Sequence, residues 1–323
     1  MRAVRFERFG EPAEVLTLEE LELPVAGPGH ARVRMSLRPI NPSDLLTIRG
    51  HYGSLPALPA TPGREGVGVI AEATELAPGR RVLPLNHVGT WQEEIVVPDE
   101  SLVAVPDAVP EEAAAQAFIN PLTVWAMLDE LGVESGEWLL QSAAASALGQ
   151  LVVQMARSRG VLSINLVRRA EQAEHLRALG ADEVIVTDDS PGLVERIQAI
   201  TGRKGVSHAL DAVGGQLGGE MVNALAPGGT MLVHGSLAHP ERLPISSGRF
   251  LTRSLTLRGF WLNEWLARTP LASQRSALAE ILDQMASGRL AAPAVEATYD
   301  LADVVEAAGH AERSRDGKIM LSG

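Results

Sequence analysis

Between Thr123 and Trp265 six short apolar runs alternate with segments of helical period, and this alternation restricts the chain more than any other feature. The runs are Trp138–Gln141, Leu162–Val167, Glu183–Val186, His208–Asp211, Thr230–His234 and Leu255–Gly259. Short runs of this kind, separated by helices, predict a doubly wound parallel sheet. The segment Leu148–Arg159 sets Leu148, Val152, Val153, Met155 and Ala156 on one side, and Ala170–Leu179 ends at Gly180, a C-cap glycine. From Met1 to about Pro121 the apolar runs are shorter, alternating and broken by Pro and Gly, as in Ala31–Met35 and Glu94–Val97. That pattern predicts a β-rich domain with many turns. A last helix, Ser273–Ser287, is closed by Gly288, and a β-like tail runs over Lys318–Leu321. The expected layout is α/β, with a sheet domain over 123–265 inserted into a β-rich domain made from 1–122 and 266–323.

Composition removes several classes of function. With 28 Lys and Arg against 40 Asp and Glu, the formal net charge is −12, which repels phosphate backbones and anionic headgroups. No nucleic-acid partner is expected. There is no cysteine, so disulfides, Cys nucleophiles, iron–sulfur clusters and thiolate zinc sites are excluded. The first eight residues, Met1–Arg8, interleave charges with apolar residues and do not read as a signal peptide. No stretch of about 18 uncharged apolar residues follows. A soluble, cytoplasmic protein with no membrane partner is expected.

After the first strand of the sheet domain comes Ser142-Ala143-Ala144-Ala145-Ser146-Ala147-Leu148-Gly149, followed by a helix. In a dinucleotide-binding turn the backbone passes close to the pyrophosphate, so only small side chains fit, and the helix start supplies N–H donors and a positive dipole. Only the last glycine of the G-x-G-x-x-G pattern is present, as Gly149, and the other reading is a small-residue helix start used for packing. At the end of the second strand an NAD site wants Asp or Glu for the ribose hydroxyl. Here Val167-Arg168-Arg169 stands instead, and a guanidinium suits a 2′-phosphate, so NADP(H) is expected over NAD(H). The plainer reading is a solvated arginine pair.

Three segments carry a family resemblance: Pro39-Ile40-Asn41-Pro42-Ser43-Asp44, then Arg49-Gly50-His51-Tyr52-Gly53, then Leu58-Pro59-Ala60-Thr61-Pro62-Gly63-Arg64-Glu65-Gly66-Val67-Gly68. Together they are similar to the N-terminal domain of the medium-chain dehydrogenase/reductase superfamily, and the resemblance runs over essentially the whole chain. Gly259-Phe260-Trp261-Leu262, the nearby Trp265 and the Ser146 turn resemble the mitochondrial-type 2-enoyl thioester reductases more than the quinone oxidoreductases. Zinc-dependent members carry Gly-His-Glu where this chain has Gly63-Arg64-Glu65, and they use a ligand cysteine elsewhere. Arg64 and the absence of cysteine imply no catalytic metal.

The resemblance implies a GroES-like β-barrel domain holding a Rossmann domain, NADPH as cofactor, and reduction of a carbon–carbon double bond conjugated to a thioester carbonyl. Metal-free chemistry of that kind needs a pre-aimed donor at the carbonyl oxygen and a proton for the α-carbon. Tyr52 matches the family's active-site tyrosine; otherwise it is a loop tyrosine over prolines. Trp261 matches a tryptophan at the substrate cleft; otherwise it packs at a strand end. Trp91, Trp125 and Trp138 are assigned to packing. Cofactor contacts are expected from Asn41, Thr123, Ser142, Ala145, Ser146, Gly149, Arg168, Arg169, Ser236, Phe260 and Lys318. His51, His87, His208 and His234 show no metal spacing, and Asp188-Asp189 reads as a solvated turn. The substrate expected is an α,β-unsaturated acyl thioester, the alternative a quinone or other enone, because Ala145 stands where the thioester branch often carries asparagine. A non-catalytic NADPH-binding protein is the reading from another class. A homodimer is expected from the family, and the sixth strand offers a reason: read as an apolar edge, it would be covered by its twin.

Overall fold

The computed structural model describes residues 1–72, 77–187, 192–238, 242–313 and 317–323. The turn assigned to Asp188-Asp189 lies outside them. The chain divides into two compact units, Met1–Leu122 with Pro270–Gly323 and Thr123–Thr269. In chain order the first unit begins with β1 (Arg2–Arg5), β2 (Thr17–Glu20), β3 (His30–Pro39), β4 (Val67–Glu72), β5 (Arg81–Pro84), β6 (Glu94–Pro98) and β7 (Leu102–Ala104). The second carries β8 (Trp138–Gln141), β9 (Leu162–Val167), β10 (Glu183–Val186), β11 (Val206–Asp211), β12 (Leu225–Val233) and β13 (Thr256–Gly259). The chain then returns to the first unit for β14 (Val295–Asp300) and β15 (Lys318–Ser322).

The fold is α/β, and the second unit holds a parallel six-stranded sheet in the order β10-β9-β8-β11-β12-β13. Its chain reversal, at β8, is the switch point where doubly wound sheets bind ligands. Side chains of β9 alternate: Ile164 and Leu166 join a core with Ile185, Ile197 and Met221, while Val167 joins Ala144, Val153 and Leu176 on the other face. Both faces are therefore covered, as a parallel sheet requires. The first unit joins β14-β15-β3-β4-β5-β7, with β6 also paired to β3, and β1 and β2 form a separate ladder. Ala31, Val33 and Met35 of β3 meet Ile70, Val82, Ile95 and Val97 inside this sheet.

Two expectations are corrected. The second junction falls after Thr269, not Trp265, because a helix over Leu262–Arg268 keeps Trp265 against Trp125, ring centroids 6.3 Å apart, within the second unit. The sixth strand is an edge, but not an apolar one: Leu255 and Leu257 pack inward, leaving Thr256, Arg258 and Gly259 outward. The described residues contain no helix long and apolar enough to cross a membrane.

Candidate functional site

In the second unit the turn after β8 is built for close approach. Ala144 donates its N–H to Leu166 O at 3.1 Å, which holds the turn beside the end of β9, and Ala143 adopts φ +49°. The following helix, Ala147–Ser158, starts one residue earlier than the periodicity indicated, because Ser146 is its N-cap and its Oγ accepts the Gly149 N–H at 3.0 Å. Gly149 thus lies in the helix's first turn. A Cβ there would stand 2.6 Å from Ala144 O and 2.7 Å from Ala143 O, so the backbone itself excludes a side chain. Ser146 is exposed and Ala145 half-buried, while Arg168 and Arg169 are exposed just past β9. Small residues at a helix start beside two guanidiniums fit the pyrophosphate and 2′-phosphate of NADP(H).

Ser142 serves the switch point rather than the open face. Its buried Oγ donates to Asp211 Oδ1 at 2.7 Å and accepts the Ala212 N–H at 2.9 Å, tying β8 to β11. Asp211 also accepts the N–H groups of Val213 and Gly214. Beneath the turn, Gln141 Nε2 donates to Gly149 O at 3.0 Å and to Asn165 Oδ1 at 2.7 Å, and Asn165 Nδ2 donates onward to Ser163 Oγ and Glu183 O. This polar ladder through a buried sheet fixes the carbonyl side of the helix start. Thr123 is buried in the unit's first helical segment, Phe260 is buried with its N–H on Val233 O, and Ser236 is exposed after β12. Trp261 is half-buried, and its carbonyl accepts the N–H groups of Glu264 and Trp265.

In the first unit the helix Pro42–Ile48 begins with a reciprocal cap: Asn41 N donates to Asp44 Oδ2 at 2.8 Å. Asn41 Nδ2 donates to Glu65 Oε1 at 2.7 Å, Asn41 Oδ1 accepts from Lys318 Nζ, and Glu65 Oε2 accepts the Ile119 N–H at 2.8 Å. Asn41, Glu65 and Lys318 are all buried. Desolvation pushes the Glu65 carboxyl up and the Lys318 ammonium down, each opposed by the other's charge. The structure thus brings Asn41 and Lys318 together around a carboxylate that sequence reasoning used only to argue against zinc. Glu65 can be buried because Gly63, at φ +97°, carries the chain against Trp91 and Thr90, where a Cβ would meet Trp91 Cδ1 at 2.2 Å.

On the other side of that turn, Arg64 lies with its guanidinium 5.8 Å from the centre of the Tyr52 ring. Tyr52 is half-buried in the loop over 51–59, and Arg64 also lines a cavity of about 290 Å³ walled by Phe6, Leu55, Pro56, Pro62 and Val88. Asp44 closes one side of it. Among the described residues no group of three or more His, Asp or Glu could hold a metal ion.

Residues 147–282 match the family model described as zinc-binding dehydrogenase, and residues 27–107 match the alcohol dehydrogenase GroES-like domain. The mitochondrial enoyl-[acyl-carrier-protein] reductase of Bos taurus is 35% identical over 306 residues, covering 91% of this chain and 81% of its own. A solved structure of a putative NADPH:quinone reductase from Bacillus thuringiensis superposes with a TM-score of 0.92 at 31% identity, covering 100% of this chain and 98% of that one. The Etr1p/NADP/crotonyl-CoA complex superposes with a TM-score of 0.89 at 26% identity, covering 100% and 99%.

Proposed function

We propose that this chain, which belongs to the medium-chain dehydrogenase/reductase superfamily and within it to the family of the enoyl-[acyl-carrier-protein] reductases, reduces the carbon–carbon double bond of 2-enoyl thioesters with NADPH. The observation that carries the reading is Tyr52: it stands in a Gly- and Pro-rich loop with its ring centre 5.8 Å from the guanidinium of Arg64, a residue that lines an apolar cavity. When bound, NADPH supplies the hydride that adds to the β-carbon. Arg168 and Arg169 take the 2′-phosphate, and the Ser146–Gly149 helix start takes the pyrophosphate. The Tyr52 hydroxyl donates to the thioester carbonyl oxygen as negative charge develops there, and the α-carbon of the resulting enolate then takes a proton from solvent. The broad face of Trp261 orients the acyl group.

The test is NADPH oxidation with crotonyl-coenzyme A, run beside a benzoquinone and beside NADH. The expected result is turnover with the thioester and NADPH, lowered roughly 100-fold in kcat by Tyr52→Phe. Turnover with the quinone alone favours the second reading, a quinone or enone reductase, which Ala145 in the turn and the likeness to the Bacillus thuringiensis protein support. NADPH binding with no oxidation by either acceptor would make the chain a cofactor-binding protein instead. We also propose a homodimer through β13, whose unpaired outer edge offers free backbone donors and acceptors. A purely monomeric boundary in sedimentation velocity removes it.

A further inference from the structure

Away from the residues described above, Tyr299, His310 and Glu296 form a hydrogen-bonded row. β14 supplies Glu296 and Tyr299, and the helix Val304–Arg313 supplies His310. Tyr299 Oη lies 3.0 Å from His310 Nδ1, and His310 Nε2 lies 2.9 Å from Glu296 Oε1. A carboxylate only accepts, so Glu296 fixes the proton of the neutral imidazole on Nε2. Nδ1 is then a bare lone pair, and the phenol donates to it. The two rings stand edge to face at 86°, with centroids 5.9 Å apart. The Tyr299 ring is half-buried and packs against the core that holds Val304, Ala307, Ile319 and Leu321. A latch between strand and helix needs only the Tyr299–His310 bond. The second bond, to Glu296, gives the row a direction, with phenol, base and counter-charge in sequence.

We propose that Tyr299 is a one-electron donor, a phenol that passes its electron to a one-electron oxidant while His310 takes its proton. In the oxidation the Oη–H bond breaks, the electron leaves to the oxidant, and the proton crosses to Nδ1. The products are a neutral tyrosyl radical, an imidazolium and the oxidant reduced by one electron. The imidazolium keeps its Nε2–H on the Glu296 carboxylate, which balances the new charge. One electron from a reductant, with the proton returned from Nδ1, restores the phenol.

The physical ground is the position of the base. A phenol oxidised without a proton acceptor passes through a radical cation, and a ring packed against hydrocarbon has little water to take the proton. An imidazole already at hydrogen-bond distance removes that barrier. The row shares no residue with the cavity that Arg64 lines or with the Asn41, Glu65 and Lys318 cluster, so the proposal stands or falls apart from thioester reduction.

Tyr52 and Tyr299 are the only tyrosines, so Tyr52→Phe leaves a single candidate. In that background the full chain is mixed with hexachloroiridate(IV), followed by stopped flow, and frozen for electron paramagnetic resonance. The expected result is a tyrosyl signal that Tyr299→Phe abolishes. His310→Gln keeps a side chain that can accept the phenol's hydrogen bond but is a far weaker base, and it should slow radical formation roughly 100-fold. Glu296→Gln keeps an oxygen for Nε2–H without the negative charge and should slow it about 10-fold. A merely structural row would lower the urea midpoint in these variants and leave the oxidation rate alone. A radical confined to tryptophan, or a rate indifferent to both His310→Gln and Glu296→Gln, overturns the proposal. If His310→Gln does not fold, the Glu296→Gln rate decides by itself.

Discussion

At the residue scale, one position is proposed to select the cofactor and another holds the first unit's polar cluster together. Arg168 is exposed beside the turn that Leu166 O anchors, where a 2′-phosphate would be met. Arg168→Ala removes a charge-assisted hydrogen bond of about 1.5–3 kcal/mol, so the ratio of kcat/KM for NADPH to that for NADH should drop about 10-fold or more. An unchanged ratio would return the arginine to ordinary surface. Glu65 accepts from Asn41 Nδ2 with one oxygen and from Ile119 N–H with the other. Glu65→Gln must set an amide NH₂ against one of these donors and leaves buried Lys318 without its counter-charge. A loss of about 2 kcal/mol or more in denaturant unfolding is expected. Tyr52 and Arg168 stand out as candidates in the sequence because of their flanks and strand position. Asp44 and Glu65 appeared in the quoted segments, yet residue type alone does not tell a buried carboxylate from a solvated one. What separates them is the left-handed turn at Gly63 and the fit against Trp91, both products of the tertiary fold.

At the element scale, the helix start after β8 combines a cap, a glycine and a polar ladder. Ser146→Ala removes the acceptor for Gly149 N–H and should lower stability by about 1 kcal/mol. Gly149→Ala is expected to be worse, since its Cβ meets two backbone carbonyls that cannot swing aside. A loss of about 1–3 kcal/mol with a raised Kd for NADPH is expected, measured by urea titration and by fluorescence titration. If Gly149→Ala unfolds and binds NADPH like the parent chain, the close turn is not what the cofactor site needs. Strand positions in this unit were readable because parallel strands are short apolar runs, and β8, β9 and β10 fall where the pattern set them. β12 begins at Leu225, ahead of Thr230, because Pro227-Gly228-Gly229 looks like a turn while the pairing with β11 shifts register around it. The ladder of Gln141, Asn165 and Ser163 was not foreseen. Its members alternate with Leu140, Ile164 and Leu166, and only the stacked strands turn three scattered amides and hydroxyls into one network.

At the scale of the whole molecule, buried ionisable groups give folding a pH dependence whose sign follows from each group. Asp44, pushed up to about 7, binds a proton in the folded chain that the unfolded chain has already released above the ordinary carboxylate range. Its contribution therefore becomes less favourable as pH rises from about 4 to about 7 and is constant above that. His234 acts in the opposite direction: desolvation lowers it to about 4, so folding loses stability as pH falls below its ordinary value toward 4. Arg38, fully buried among the carbonyls of Thr90, Gln92 and Gly323, is lowered to about 9 by burial and acts in the same sense as His234, its penalty full below about 9 and easing as pH rises beyond that. These terms overlap, and a single substitution isolates one of them. Asp44→Asn retains an oxygen for the Asn41 N–H and has no proton to exchange, so the parent chain minus the variant reports Asp44 alone. Urea midpoints at pH 5 and pH 8 should show the variant gaining on the parent chain at the higher pH. A difference that is the same at both values would mean that Asp44 titrates as a solvated carboxylate.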